Sequence, residues 1–486
     1  MREFDLAIVG GGGGGLTAAS VAAEHGVRVA VLDDNALPGG QYFRQLHIEY
    51  RRTAKTVFDK DQRRAEAVYR AACRPGVTYL SNAVVWESPD EGVLSFTRGA
   101  DSGKLRAKLI VLAAGAADRP VPFPGWTLPG VVAAGGLQNL IKGQRVIPGR
   151  RAIVAGNGPL VLLVAANLVH AGAQLVEAIE AAPIHRRLFG EALNLLAAPK
   201  IVRQAIGYRA AILRAGAAFR TGWTVVEARG DGECEEVVVA PIGADGQIDH
   251  ARARTHATDL LVTGFGLQPS IELARTLRLA LYWNALRGGW LPVRDEAFET
   301  GRKGIFAIGD GAAIGGVEFA LAEGRLMGIT AAERLGRLSS ADAKRLKRPV
   351  LATLARLERF RSSLERLYTP PRNYLDLLTP ETVVCRCEEV TTGEIHARQA
   401  EGFANAMQLK FSTRMGMGRC QGRNCYRTLS TIVATTMGVS EEEVRLPRAQ
   451  SPARLVTIND LLEEDVEPQI PPDLTTAHLP RGERVS

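Results

Sequence analysis

The sequence predicts an α/β protein: two dinucleotide-binding, Rossmann-like units followed by a small cysteine-bearing domain. Three observations carry that expectation. A strand, glycine turn, helix and strand open the chain, the same pattern returns about 145 residues later, and four of the six cysteines gather between residues 385 and 425. A βαβ order implies a parallel sheet, because the crossover helix must bring the chain back before the next strand can run in the same direction. With 486 residues, 46% hydrophobic and 23% charged, the chain has the composition of globular domains and the length for several. Six cysteines are too few for a disulfide framework and point to a reduced compartment with one metal site.

The elements follow in order. Phe4–Val9 is an apolar run that ends in six glycines, Leu16–His25 is an Ala-rich helix, and Val27–Leu32 is a second apolar run closed by Asp33 and Asp34. Gly10, Gly12 and Gly15 satisfy Gly-x-Gly-x-x-Gly. The first permits a tight turn, the second lets a pyrophosphate approach the backbone, and the third lets the helix pack on its strand. The helix N-terminus offers free N–H groups to the phosphates, and Asp33 is placed to accept hydrogen bonds from an adenosine ribose. The second unit has Ala152–Ala155, Gly156-Asn157-Gly158-Pro159, an apolar helix, then Leu175–Ile179 and Glu180. It keeps two glycines and puts Val161 where the third would be. Glu180 stands where an NAD-preferring acid would, and His185-Arg186-Arg187 reads as a surface turn. A working NAD site, a different nucleotide and a fold copy that binds nothing all stay open.

Ala152–Val176 has no Lys, Arg, Asp or Glu, yet its Gly-Asn-Gly-Pro turn fits a buried strand and helix better than a membrane span. Further on, 220–262 reads as strands and turns. Ile305–Ile308 is a buried strand, followed by a glycine turn and a helix over about 317–335. Residues 336–378 read as basic amphipathic helices and a linker, with ten Lys/Arg against three Asp/Glu over 334–366. That surface is either simply solvated or a docking face for an acidic partner. No nucleic-acid motif accompanies it. Residues 441–486 hold ten acids against five Arg, with Pro468, Pro471 and Pro472, and read as a poorly ordered tail.

Companions of the first fingerprint distinguish a flavin site from a nicotinamide site. Pro38-Gly39-Gly40-Gln41, the strand ending at Ala114-Gly115, and Thr300–Asp310 with Gly309-Asp310 resemble the FAD-domain motifs of the two-dinucleotide-domain flavoprotein reductases. The resemblance makes Gly39, Gly40, Gln41, Gly115, Gly309 and Asp310 contacts of FAD. Asp310, at a strand's end, can accept from a ribitol hydroxyl, and the helix starting near Gly315-Gly316 can aim its positive end at the flavin pyrimidine edge. The reactive Cys pair of disulfide reductases is missing: 41–52 has no Cys and the second unit has only Cys234. Cys73 and Cys234 read as buried small apolar residues.

Cys385, Cys387, Cys420 and Cys425 are spaced by one and four residues within their pairs. Structural zinc sites prefer two-residue gaps, so this spacing favours a [2Fe–2S] cluster whose irons each take two thiolates, with zinc as the alternative and four unconnected thiols a remote third. Val384–Thr391, Lys410 and Met415–Gly422 resemble the bacterioferritin-associated-ferredoxin type of [2Fe–2S] domain. The whole order, over about residues 4–440, resembles the larger FAD-containing subunit of bacterial multi-subunit amine dehydrogenases. These include the A subunits of opine oxidases, the B subunits of hydrogen cyanide synthases and the alpha subunits of proline and hydroxyproline dehydrogenases.

That resemblance implies a partner flavoprotein subunit that dehydrogenates an amino acid, imino acid or opine, and a possible small third subunit. Electrons would pass through this chain's FAD and cluster to an acceptor. It leaves open an interface FMN, NAD(P) at the second fold, and the substrate. It also divides the chain: 1–125 with 271–335 as the FAD domain, 126–270 the second dinucleotide-type domain, 336–380 a basic linker, 381–440 the cluster domain and 441–486 the tail. No catalytic acid or base is named, since the eight histidines are scattered. No leader or transmembrane segment is expected, and the reading is cytoplasmic, with contact at the membrane only through an acceptor. The alternatives are a stand-alone NAD(P)H-dependent flavin oxidoreductase and a redox-sensing adaptor.

Overall fold

The computed structural model describes residues 1–47, 59–99, 101–369 and 374–462. Leu6, Ala7 and Ile8, like Val29–Val31, are fully buried, which is why these strands are apolar without alternation: helices cover both faces of a parallel sheet. The first sheet runs Val77–Leu80, Val29–Leu32, Arg2–Val9, Asp101–Leu112, Val93–Arg98, Ala83–Glu87. Its first four strands are parallel and the last three form an antiparallel meander. Ile305–Ala307, nearly 200 residues later in the chain, adds in parallel at the C-terminal end of Asp101–Leu112.

The second sheet is parallel throughout, in the order Ala218–Thr221, Gln174–Glu180, Arg151–Gly156, Leu260–Gly264, Val131–Ala133. A three-stranded antiparallel layer, Trp223–Arg229, Glu236–Pro241 and Arg254–Ala257, accompanies it. Two short strands, Ala116–Asp118 and Leu267–Pro269, pair antiparallel where the chain leaves the first α/β unit and where it returns. The uncharged stretch becomes the strand Arg151–Gly156 and the helix Pro159–Ala171. Among the described residues no helix is long and apolar enough to cross a membrane.

Helix Gly13–Glu24 crosses helix Val317–Arg334 at a glycine on each side, so closely that a Cβ on Gly324 would lie 2.2 Å from the Gly14 carbonyl oxygen. The basic linker is one helix, Ser340–Leu367, that runs through Pro349. Buried Ala343, Val350 and Leu357, two turns apart, pin it down along one face. Its last carbonyls, at Arg366 and Leu367, and that of Thr369 just beyond it accept from Arg187. His185-Arg186-Arg187 is therefore part of a helix, Ile184–Leu195, and not a surface turn: the Arg caps orphan carbonyls of its neighbour.

Two other expectations need correction. Cys73 is exposed, whereas Cys234 is buried. The segment after Pro447 is held as far as residue 462, because the sheet's edge strand recruits it. The Ala453 N–H donates to Trp86 O at 2.7 Å, and Ser102 donates to Asp460 at 2.7 Å. Covering an edge in this way removes unpaired strand groups from solvent. Residues 463–486 lie outside the described residues.

The cysteine domain has its own core around Val384, Ile395, Leu409, Leu429 and Ile432. It rests on both α/β units. Trp126 Nε1 donates to Val383 O at 2.6 Å, Gln268 Nε2 to Arg423 O at 2.6 Å, and Arg427 to Gly288 O at 2.8 Å.

Candidate cofactor and cluster sites

The glycine run turns directly off the first strand into its helix. Gly10 has φ +114°, and a Cβ on Gly15 would sit 2.0 Å from Gly10 O. Both positions therefore demand glycine, one for conformation and one for closeness. Gly12 caps the helix with no side-chain bond, the first turn carries no acid, and a Cβ there would meet nothing within 4 Å. The helix's first N–H groups thus face an open, unoccluded position, as an approaching phosphate requires.

Tertiary folding brings the other predicted residues to this turn. Gly39 N donates to Gly11 O at 2.8 Å and Gly39 pairs with Gly12 as a bridge, and a Cβ on Gly40 would be 2.9 Å from the Gly12 Cα. Gln41 is exposed beside them. Gly115 faces Gly311, whose Cβ would come 3.0 Å from Gly115 N. Asp310 Oδ1 accepts from Gly315 N and Gly316 N, both at 2.8 Å, and Oδ2 has no partner among the described residues.

Asp33 is 3% exposed. Its Oδ1 accepts from the Asn35 backbone and side chain, both at 2.9 Å. Its Oδ2 is buried beside the Tyr79 hydroxyl, whose donation favours the charged carboxylate, and has no further partner among the described residues. Burial raises the Asp33 carboxyl above its usual range, against the Asn35 donors and with help from Asp34. A carboxylate oxygen with acceptor capacity to spare at the end of the second strand is what a ribose hydroxyl would use. Together with the open Gly12 position and the spare Asp310 oxygen, it makes these residues fit an FAD.

The second glycine turn is different. Glu180 is fully buried, and its oxygens accept from Asn157 Nδ2 at 2.8 Å, Gly158 N at 2.9 Å and Ala182 N at 2.9 Å. Burial outweighs these donors and pushes its carboxyl up to about 8. The acid placed for an NAD ribose is instead bound through both oxygens by its own turn. These residues do not fit NAD(P) through Glu180.

Two residues behind the first turn carry no sequence motif. Glu323, 7% exposed, accepts from Gly309 N at 2.6 Å and forms a two-pronged pair with Arg294, whose Nη1 also donates to Ala307 O at 2.7 Å. They brace the strand and turn that present Asp310. An acid in the middle of the Ala/Gly-rich helix 317–334 is the one signal that could have found Glu323.

The four candidate thiols come together from both ends of their domain. Cys385 closes the strand Val383–Cys385, and Cys425 caps the helix Tyr426–Met437. They meet as pairs, Cys385 with Cys425 and Cys387 with Cys420. The hydrogen bond with Cys425, joined by the backbone N–H groups of Gly416, Glu388 and Cys387, draws the Cys385 thiol down to about 5. The same hydrogen bond, with burial, raises Cys425. Burial raises Cys420, which has Asn424 and Gly422 N–H groups beside it. Among the described residues no three Cys, His or carboxylate groups converge as one ion would need. Two thiol pairs with N–H donors around them have the donor set of a [2Fe–2S] cluster.

Known proteins share both halves of this arrangement. Residues 4–336 match the family described as pyridine nucleotide-disulphide oxidoreductase, and residues 383–435 match the BFD-like [2Fe-2S] binding domain. The A subunit of the opine oxidase of Rhizobium meliloti is 34% identical over 476 residues, covering 95% of this chain and 88% of that one. The HcnB subunit of the hydrogen cyanide synthase of Pseudomonas aeruginosa is 33% identical, covering 86% of this chain and 90% of that one. The solved structure of L-proline dehydrogenase from P. horikoshii matches with a TM-score of 0.68 over 94% of this chain and 79% of that one. At 21% identity that likeness concerns the fold alone.

Proposed function

The chain belongs to the family of opine oxidase A subunits and hydrogen cyanide synthase HcnB subunits, FAD-dependent oxidoreductases with a BFD-like [2Fe–2S] domain, and from that premise we propose that it is the electron-transfer subunit of a multi-subunit amine dehydrogenase. In this reading a partner flavoprotein subunit oxidises an opine, amino acid or imino acid, and this chain carries the electrons onward. The observation that carries the proposal is the seating of the thiol domain on both α/β units through Trp126, Gln268 and Arg427. That seating joins the domain of the thiol quartet directly to both α/β units, one of which carries the glycine cradle.

FAD held in the glycine cradle would supply an exchange between two-electron and one-electron chemistry, and a [2Fe–2S] cluster held by the thiols one-electron chemistry. The chain's own residues do the holding. Gly10, Gly12 and Gly15 with the first helix would receive the pyrophosphate, Asp33 the ribose, and Asp310 the ribitol, with Gly39, Gly40, Gln41, Gly115 and Gly309 around them. Cys385, Cys387, Cys420 and Cys425 would hold the cluster, and the surrounding N–H groups would stabilise the charge on sulfur. No step uses NAD(P), because Glu180 is engaged by its own turn.

The test uses the purified full chain. Two iron and two sulfide per FAD are expected, with no oxidation of opines, proline or glycine by the chain alone. Cys420→Ser should abolish the cluster's visible absorbance while FAD stays bound. Turnover of an amine by the isolated chain would overturn the electron-transfer reading. Flavin reduction by NADH would favour a stand-alone NAD(P)H oxidoreductase instead. Native mass spectrometry of the co-purified complex counts partner chains and any interface FMN.

A further inference from the structure

We infer that the seam between the first α/β unit and the cysteine domain holds a binding site for a small oxyanion of the phosphate or carboxylate class. A cavity of about 70 Å³ lies there, between the hairpin Leu281–Asn284/Gly289–Pro292 and the loop that runs through Gly422 and Arg423. That is several times the space one water needs. Three residues that line it, Trp290, Arg423 and Arg427, each have an indole or guanidinium Nε shut from solvent with no hydrogen-bond partner among the described residues. Buried donors are seldom left unpaired, and when several converge a bound ion, water or ligand is the usual explanation.

All three orphans are donors, so the missing group is an acceptor. The charge identifies its sign. Arg275, Arg423 and Arg427 line the cavity against a single carboxylate, Glu272. Glu272 is already divided, 3.3 Å from Arg423 Nε but out of hydrogen-bond alignment with it, and 3.8 Å from Arg454. The other partners are neutral. Arg427 donates to Gly288 O at 2.8 Å and Ala285 O at 3.3 Å, and Arg275 donates to the Pro447 carbonyl. These bonds orient the guanidinium groups without offsetting their charge; with Glu272 shared and Glu441 alone acting on Arg427 as a counter-charge, positive charge stays in excess, and excess charge out of water is unfavourable. Water would satisfy the donors and leave the charge. A planar or tetrahedral oxyanion answers both, and guanidinium forks match its geometry.

The walls are built to hold still. The Arg427 guanidinium stacks over Trp283, 5.4 Å from the ring centroid, and Trp283 meets Trp290 edge-on at 5.5 Å. Arg275 stacks on Tyr426 at 5.3 Å. The site is separate from the glycine cradle and does not depend on the electron-transfer proposal.

Tryptophan fluorescence of the purified holo-chain reports on this site through Trp283 and Trp290, two of the chain's five tryptophans. It is titrated with inorganic phosphate and, separately, with acetate, each against chloride at constant ionic strength. A saturable change is expected with one of them. Saturation with phosphate alone assigns a phosphate-class ligand, and saturation with acetate alone a carboxylate. Arg427→Met should weaken the binding at least tenfold. Trp290→Phe, which keeps an aromatic ring at that place and removes the indole N–H, should weaken it several-fold with iron content unchanged. No saturable response to either anion, or undiminished binding in both variants, would overturn the inference.

Discussion

Replacing Glu323 by alanine asks whether the flavin cradle is braced from behind by a buried ion pair. The Arg294 and Glu323 side chains are 17% and 9% exposed, with their closest atoms 2.7 Å apart. Removing the carboxylate leaves the guanidinium its contact with Phe298, 4.6 Å from the ring centroid, and its bond to Ala307 O, but no counter-charge. It also strips the Gly309 N–H of its acceptor. Breaking one side of a buried pair costs about 3–5 kcal/mol. At roughly 2–4 °C per kcal/mol for a domain of this size, the first α/β unit should melt roughly 6–20 °C lower. Circular dichroism, followed alongside the rise in free-flavin fluorescence, measures both the melt and the release of FAD. A double-mutant cycle with Arg294→Met should show coupling of about 0.5–3 kcal/mol. A Glu323→Ala protein that melts within a degree of the parent and keeps its FAD would refute the reasoning, as would two substitutions whose effects simply add.

Three further outcomes follow from the geometry. Gly15→Ala forces a methyl to within 2.0 Å of Gly10 O, so a stability loss at or above the ~1–3 kcal/mol typical of overpacking is expected in urea unfolding. Gly12→Ala meets nothing within 4 Å. It should fold normally yet lose FAD, since its methyl occupies the phosphate approach, and stoichiometric FAD in that variant would remove Gly12 from the site. Glu180, held at about 8 against about 4.3 in an unfolded chain, contributes stability that is whole below about pH 4.3 and lost as pH rises through 8. Glu180→Gln should flatten that part of the pH–melting profile, and an unchanged difference between parent and variant from pH 5 to 9 would count against it.

Much of the candidate site is legible in the sequence because its residues lie in local patterns. Gly10–Gly15 form a strand-to-helix turn whose steric rules concern neighbours five residues apart. Asp33 ends the next strand, and the clustering of four cysteines marks them out before any fold is drawn, although the thiols meet across the two sequence pairs, Cys385 with Cys425 and Cys387 with Cys420. Glu180 shows where such reading stops. Its position at a strand end matches a ribose acid, but which way the carboxylate faces depends on Asn157 and on the backbone of a turn 22 residues away. Cys73 departs from expectation for a related reason, since hydrophobicity predicts burial only once a neighbour exists to cover the side chain.

By itself, then, the amino-acid order determined the fold class, the two glycine turns and the thiol quartet, because each is written in short-range periodicity and spacing. Only the tertiary structure decided that Ile305–Ala307 joins a sheet begun at Arg2, and that Glu323 and Arg294 brace the Asp310 turn. It alone brought Trp290, Arg423 and Arg427 to one cavity. Those contacts join residues from 14 to almost 200 positions apart. Which of them form is set by how layers pack and where desolvated charge must be matched, quantities that no local window of sequence contains.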